Sequence, residues 1–207
     1  MASGGAAVRR WGGVAFVGVG IVLALSVAGC SSDEPFAGSD IRPTASPSAT
    51  VTPVPSRPVG SREVTGRGWT MAVPGQWEER RRTLSTGEVA RWSEPASAGS
   101  TRVAVSVVVE SEPTTSLLDQ SYRLEQRLRE NDLRPQRSTV PGADPARPGV
   151  LVQWTENSRG DEQRREVWQL LLAGPGTSIV NVVGFAPEDG FGASPVPEVM
   201  GTVQVQR

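Results

Sequence analysis

From Arg102 to Glu110 the chain reads Arg-Val-Ala-Val-Ser-Val-Val-Val-Glu, and this run constrains the fold more than any other. In an extended strand Val103, Val105, Val107 and Val109 share one face, while Ala104, Ser106 and Val108 share the other. β-Branched side chains at this density favour a strand over a helix. Both faces are fairly apolar, which predicts a strand in the middle of a sheet.

Other segments repeat the period of two. Trp69 to Val73 is a short strand stopped by Pro74-Gly75, and Glu88 to Ser93 is a second candidate. Later, Val150, Val152 and Trp154 alternate with Leu151, Gln153 and Thr155 in a strand over Val150 to Asn157. Ser158-Arg159-Gly160-Asp161 is turn chemistry, after which Gln163 to Ala173 returns with Trp168, Leu170 and Leu172 on one side. A second turn at Gly174-Pro175-Gly176-Thr177 leads into Ser178 to Phe185, so a three-strand meander is expected. Between the valine strand and the meander the period changes. Leu117, Ser121, Leu124 and Leu128 mark one face of an amphipathic helix, with Tyr122 beside the stripe. Ser116 is placed to cap it, Asp119 stands at the capping-box spacing, and Asn131-Asp132 ends it. Asp119 with Arg123, and Glu125 with Arg129, make pairs four apart on the outer face. Ser194-Pro195 opens a short helix to about Met200, and Thr202 to Val205 closes in extended form. Tight turns between sequential strands give an antiparallel sheet with helices packed on it, an α+β fold.

Ahead of this domain lie two segments of different character. Arg9 and Arg10 are the only charges before Cys30, and they hold that end on the cytoplasmic side of a membrane. Trp11 to Ala28 is uncharged and able to enter the bilayer as a helix. It closes at Val27-Ala28-Gly29-Cys30, which resembles the bacterial lipobox, with Val27 where leucine is commoner. Small residues before the cysteine give a peptidase access to the backbone, and the thiol accepts a diacylglyceryl group. Residues 1–29 are therefore expected to be a lipoprotein signal peptide, with Cys30 lipidated on the outer face of the cytoplasmic membrane. Two readings stand beside this one. The apolar run approaches the roughly 18 to 20 residues of an uncleaved transmembrane anchor, and a plain secretory signal would leave Cys30 incidental. Arg9-Arg10-Trp11 lacks the flanks of a twin-arginine signal, which favours the general secretory route. Cys30 is the single cysteine of the chain, so no internal disulfide can form. A bare exposed thiol outside the cell is a liability, and a lipidated one is not. Residues 30–62 follow as a disordered tether of Ser, Thr, Pro, Ala and Gly, extended by its prolines. Residues 63–207 form one globular domain.

With these elements in order, Gly68-Trp69-Thr70-Met71-Ala72-Val73-Pro74-Gly75-Gln76-Trp77 resembles the start of PsbP-like domains. It is most similar to those of actinobacterial LpqN-type lipoproteins, and the helix, meander and closing helix follow the same layout. The likeness spans roughly Val64 to Val205. It implies an α/β/α sandwich around an antiparallel sheet, in a superfamily used mostly for docking rather than catalysis. It brings no catalytic motif to this sequence.

Absences decide the chemistry. The chain has no histidine and no lysine; its 21 basic residues are all arginine, a bias that with abundant Ala, Gly, Val and Pro reads as a high-GC genome. Ser-His-Asp and Cys-His arrangements, Ser-Lys nucleophiles, Schiff bases and the phosphate-binding P-loop are excluded. Zinc loses its usual ligands, and no segment has the acidic spacing of a calcium loop. Without Arg9 and Arg10 the mature part has 19 arginines against 22 acids, a net charge of −3, which is not the balance of a nucleic-acid binder. Arg80-Arg81-Arg82, directly after Glu78-Glu79, reads as a solvated loop or strand end. Asp161-Glu162 with Glu166, or Glu188-Asp189, could form a glycosidase pair, but turn solvation accounts for both. No enzyme activity, cofactor or metal is expected. The tryptophans read mostly as core, with Trp77, Trp154 and Trp168 as the candidate partner or ligand surface and Trp77 the one expected to be partly exposed. The expected role is a membrane-anchored, non-catalytic binding module of the cell envelope whose partner is an envelope protein or small ligand. The alternative is a lipid or small-molecule carrier with an apolar pocket between sheet and helix.

Overall fold

A computed structural model describes residues 51, 57–84, 87–95, 102–144, 147–157 and 163–206. The expected signal peptide, Cys30, most of the tether and the Asp161-Glu162 turn lie outside the described residues. The elements are β1 (Ser61–Gly66), β2 (Trp69–Pro74), β3 (Glu78–Leu84), β4 (Gly87–Ser93), β5 (Ala104–Glu110), α1 (Leu117–Glu130), β6 (Gln136–Asp144), β7 (Arg147–Asn157), β8 (Arg164–Ala173) and β9 (Ile179–Pro187). A 3-10 turn over Glu188–Ala193, α2 (Val196–Gly201) and β10 (Gln204–Val205) complete the series.

The strands make two antiparallel sheets. The larger has the order β3-β4-β5-β9-β8-β7-β6, and the smaller β1-β2-β10. The valine strand β5 is interior, as its two apolar faces require, and the expected meander is β7-β8-β9. The class is α+β, with helices packed on an antiparallel sheet.

Alternation along the strands feeds two separate cores. Val105 and Val107 of β5, Leu151 of β7, Trp168, Leu170 and Leu172 of β8, and Val180 and Val182 of β9 face one side. There they meet Met71 and Val73 of the small sheet and Val196, Val199 and Met200 of α2. The other face offers Val150, Val152, Trp154, Val167, Leu171 and Ile179, and α1 lays Leu117, Leu124 and Leu128 on it. Burying a leucine such as Leu128 contributes roughly 1.5–3 kcal/mol. Thr202, buried at the end of α2, ties the layers together. Its hydroxyl accepts from the Ala72 amide at 2.9 Å and donates to the Val199 carbonyl at 2.7 Å.

α1 is bounded as its sequence predicts. The Ser116 hydroxyl oxygen accepts from the Asp119 amide at 3.1 Å. At the other end Asp132 takes φ 59°, and its amide donates to the Arg129 carbonyl while Leu133 donates to that of Leu128, both at 3.0 Å. This is a Schellman closure, with Leu133 packed into the same cluster as Leu128. The Ser194 hydroxyl accepts from the Val196 amide at 3.3 Å just ahead of α2, whose N-cap position is taken by Pro195.

Three strands carry no sequence signal. β1 begins at Ser61, inside the segment read as tether, and Val51 is also buried in the core, so ordered structure reaches further upstream than 63. β3 is exposed along its whole length; charged edge strands resist pairing with other chains and show no apolar alternation. β6 is the opposite edge, polar at Gln136, Arg137, Ser138 and Thr139, with a register shift between Val140 and Asp144.

A Cβ on Gly184 would stand 2.5 Å from Val196 Cγ1 and 2.8 Å from Met200 Sδ, because α2 crosses β9 there. Gly184→Ala is expected to destabilise the fold by about 1–3 kcal/mol, read from the urea midpoint. Asp132→Gly is expected to act oppositely. Relieving the left-handed backbone should stabilise by roughly 0.5–1 kcal/mol in the same measurement.

Candidate functional site

The tryptophans proposed from sequence as a surface do not form one. Trp77 follows a turn in which its amide donates to the Pro74 carbonyl at 3.0 Å, and it is only 4% exposed. That corrects the expectation of partial exposure; the Pro-Gly turn folds the indole back into the core. Trp168, 2% exposed, packs in the same core with its ring 4.8 Å from that of Phe191. Trp154 belongs to the other core, on the opposite face of the sheet. Both β-strand indoles spend their N–H on a carboxylate two residues away: Trp154 on Glu156 at 2.8 Å and Trp168 on Glu166 at 2.6 Å. Glu188 is paired with Arg164 at 3.2 Å, so the carboxylates considered for glycoside chemistry are engaged or solvated where they are described. Among the described residues no group of acids, histidines or cysteines could hold a metal ion, and no helix is long and apolar enough to cross a membrane.

On the α2 side of the large sheet, a cleft lies between the β1–β2 hairpin and strands β4 and β5, lined by Arg67, Trp69, Arg81, Glu88, Val107 and Ser111. Its floor is rigid. Trp69 stands edge-on to Trp92, with ring centres 5.7 Å apart and planes at 79°. Beside it Arg81 donates to Glu79 at 2.5 Å and to Glu88 at 2.9 Å, and Arg62 lies 3.6 Å from Glu79. The Arg81 guanidinium holds the Glu79 carboxyl below its ordinary range against the opposing effect of burial. The Trp92 indole N–H, which lies toward Glu79 without completing a hydrogen bond among the described residues, and Arg62 act in the same direction.

The α1 side is different. α1 covers β6, β7 and β8 and leaves a half-buried apolar strip of Val89, Val108, Val183 and Phe185 beyond it. Arginines border this strip. Register places Arg80 directly opposite Arg91 and Arg82 opposite Val89, so Arg80, Arg82 and Arg91 share this face. Arg91 and Arg165 lie over the Phe185 ring, at 5.3 and 4.9 Å from its centre. Each such contact is worth about 0.5–1 kcal/mol at a partly exposed site. Arg165 is also held by Glu156. Arg91 has no carboxylate within ion-pair reach among the described residues. Its burial, with repulsion from Arg80, Arg165 and Arg82, lowers its pKa from the ordinary arginine value. Sequence reading took Arg80-Arg81-Arg82 for a solvated loop or strand end and passed over Arg91, Arg165 and Phe185, because cross-strand register, which no local pattern reveals, is what gathers them.

The sequence matches no protein-family model and no curated protein. Solved structures show likeness in shape. LpqN of Mycobacterium tuberculosis, described as involved in cell envelope biogenesis, aligns at a TM-score of 0.49 and 10% identity over 71% of this chain and 91% of that one. A protein of Bacteroides thetaiotaomicron aligns at 0.47 and 16% identity over 72% of this chain. This chain spans half the length of the Bacteroides protein.

The Glu79 arrangement predicts a pH effect. Its carboxyl titrates below the ordinary 4.5 in the folded state, so the carboxylate contributes stability above that pH and loses it as pH falls through the lowered value. Glu79→Gln is expected to lower the thermal midpoint at neutral pH and to converge with the wild type in acid. Midpoints that stay parallel from neutral pH down to about pH 3 would contradict it.

Proposed function

We propose that this chain is a lipoprotein held at the outer face of the cytoplasmic membrane through a lipid on Cys30, and that its folded part is a non-catalytic binding module of the cell envelope. One observation carries the reading: Val27-Ala28-Gly29-Cys30 ends an uncharged run behind Arg9-Arg10, in a chain with no other cysteine. The folded part supports it by how its acids are used. Glu79, Glu125, Glu156 and Glu166 are each bonded to an arginine or an indole, which leaves them as scaffold rather than as acid–base groups. The carrier alternative places an apolar pocket between sheet and helix. At that place Leu117, Leu124, Leu128 and Leu133 are packed onto Val150, Val152 and Leu171, which favours the binding module.

Two measurements test this. Intact mass of the membrane-extracted protein should show cleavage before Cys30 and added acyl chains. Cys30→Ser should lose the acyl mass, and a variant that stays in the membrane fraction with wild-type mass unmodified would rule out the anchor. Proximity crosslinking in intact cells should capture an envelope partner with the wild-type chain.

A further inference from the structure

We propose that the open half of the sheet face bearing α1 is a binding site for a phosphate-class oxyanion, with Arg91 as its central donor and Arg80 and Arg82 beside it. The proposal rests on the binding-module reading and names the chemistry that module recognises. Like charges placed directly opposite on neighbouring strands repel, yet Arg80 and Arg91 hold that relation. Arg82 is a diagonal neighbour of Arg91 on the same face.

Elsewhere in the molecule partly buried arginines are neutralised. Arg137 meets Glu125 at 3.1 Å and Arg165 meets Glu156. Arg91 breaks this pattern among the described residues. The strand carboxylates that share its face are each engaged, Glu110 by the Gln120 amide at 2.6 Å. Glu78 lies 3.7 Å from the exposed Arg80, and Glu156 accepts from both Arg165 and Trp154. A local excess of positive charge therefore stands in a chain whose formal net charge is −1.

Phe185 makes this cluster more than a solvated patch. The Arg91 guanidinium lies over its ring at 5.3 Å from the centre, and among the described residues its N–H groups meet no carboxylate. A single carboxylate would neutralise one of these arginines. A phosphate group brings roughly −1.5 to −2 charges and several strong acceptor oxygens, which suits three guanidiniums. The apolar strip of Val89, Val108 and Val183 beside it would accept the hydrocarbon of a phosphorylated amphiphile. Free phosphate and a phospholipid headgroup share the same oxyanion.

The full chain in nonionic detergent is titrated with inorganic phosphate, and separately with dihexanoyl phosphatidylglycerol, at constant ionic strength balanced with chloride. Thermal midpoint and calorimetric heat are read. A saturable rise with phosphate assigns the site to free phosphate. A rise with the lipid alone assigns it to a headgroup. Arg91→Met should weaken binding at least tenfold, as should the double variant Arg80→Ser with Arg82→Ser. The double variant lies on the exposed strand β3, so it keeps the test available if Arg91→Met fails to fold. No response to either titrant beyond chloride, or a double variant that binds as the wild type does, overturns the site. Loss of the site with crosslinked partners retained would leave the binding-module reading standing.

Discussion

The junction between β5 and β9 is the contact on which the rest of the structure depends. Two runs of antiparallel strands, β3-β4-β5 and β6-β7-β8-β9, are built from neighbours in sequence, and they become one sheet only where β5 pairs with β9 from Ala104↔Phe185 to Glu110↔Ile179. The chain has no disulfide to enforce that join. Valine does so instead. Alternate residues of β9 enter different cores, Val180 and Val182 on the side of α2 and Ile179 on the side of α1. Separating the two strands would therefore open both cores at once.

Each layer then follows from this two-sided burial. α2 approaches β9 over Gly184, where a side chain would collide, and through Thr202 it fixes the small sheet against the large one. α1 packs chiefly on β6, β7 and β8 and reaches Ile179 of β9, because its apolar stripe is one helix wide. The remaining part of that face belongs to β4, β5 and β9, and there the chain supplies half-buried valines, Phe185 and arginines instead of a second helix.

The parts legible in sequence were those with a local signature. The valine strand, the α1 caps, the meander with its Gly-Pro-Gly turn and the closing short helix are all where their patterns placed them. β1, β3 and β6 were not legible, since edge strands are polar or charged and give the alternation nothing to act on. The arginine-bordered face was harder still. Trp77, Trp154 and Trp168 were singled out for residue type, but large aromatic rings are what a sheet buries first, and the structure buries all three. Arg80, Arg91 and Phe185 are distant in sequence, and a register must be known before they meet.

β3 shows how register converts a run of like residues into unlike environments. Arg80-Arg81-Arg82 is one basic triplet in sequence, yet the strand turns Arg81 to the α2 side and its neighbours to the α1 side. Arg81 meets Glu79, which shares its face, and Glu88 on the facing strand, and both carboxylates bind it. Arg80 and Arg82 meet Arg91 instead. Had the hairpin slipped by one residue, β3 would have exchanged its faces, putting Arg80 and Arg82 on the side of the cleft and Arg81 on the side of Arg91. The strand is exposed throughout, so packing does little to set this register. The ion pairs of Arg81 favour it on one side, and on the other Glu78, beside Arg80, is the single acid that β3 supplies to the face of Arg80, Arg82 and Arg91.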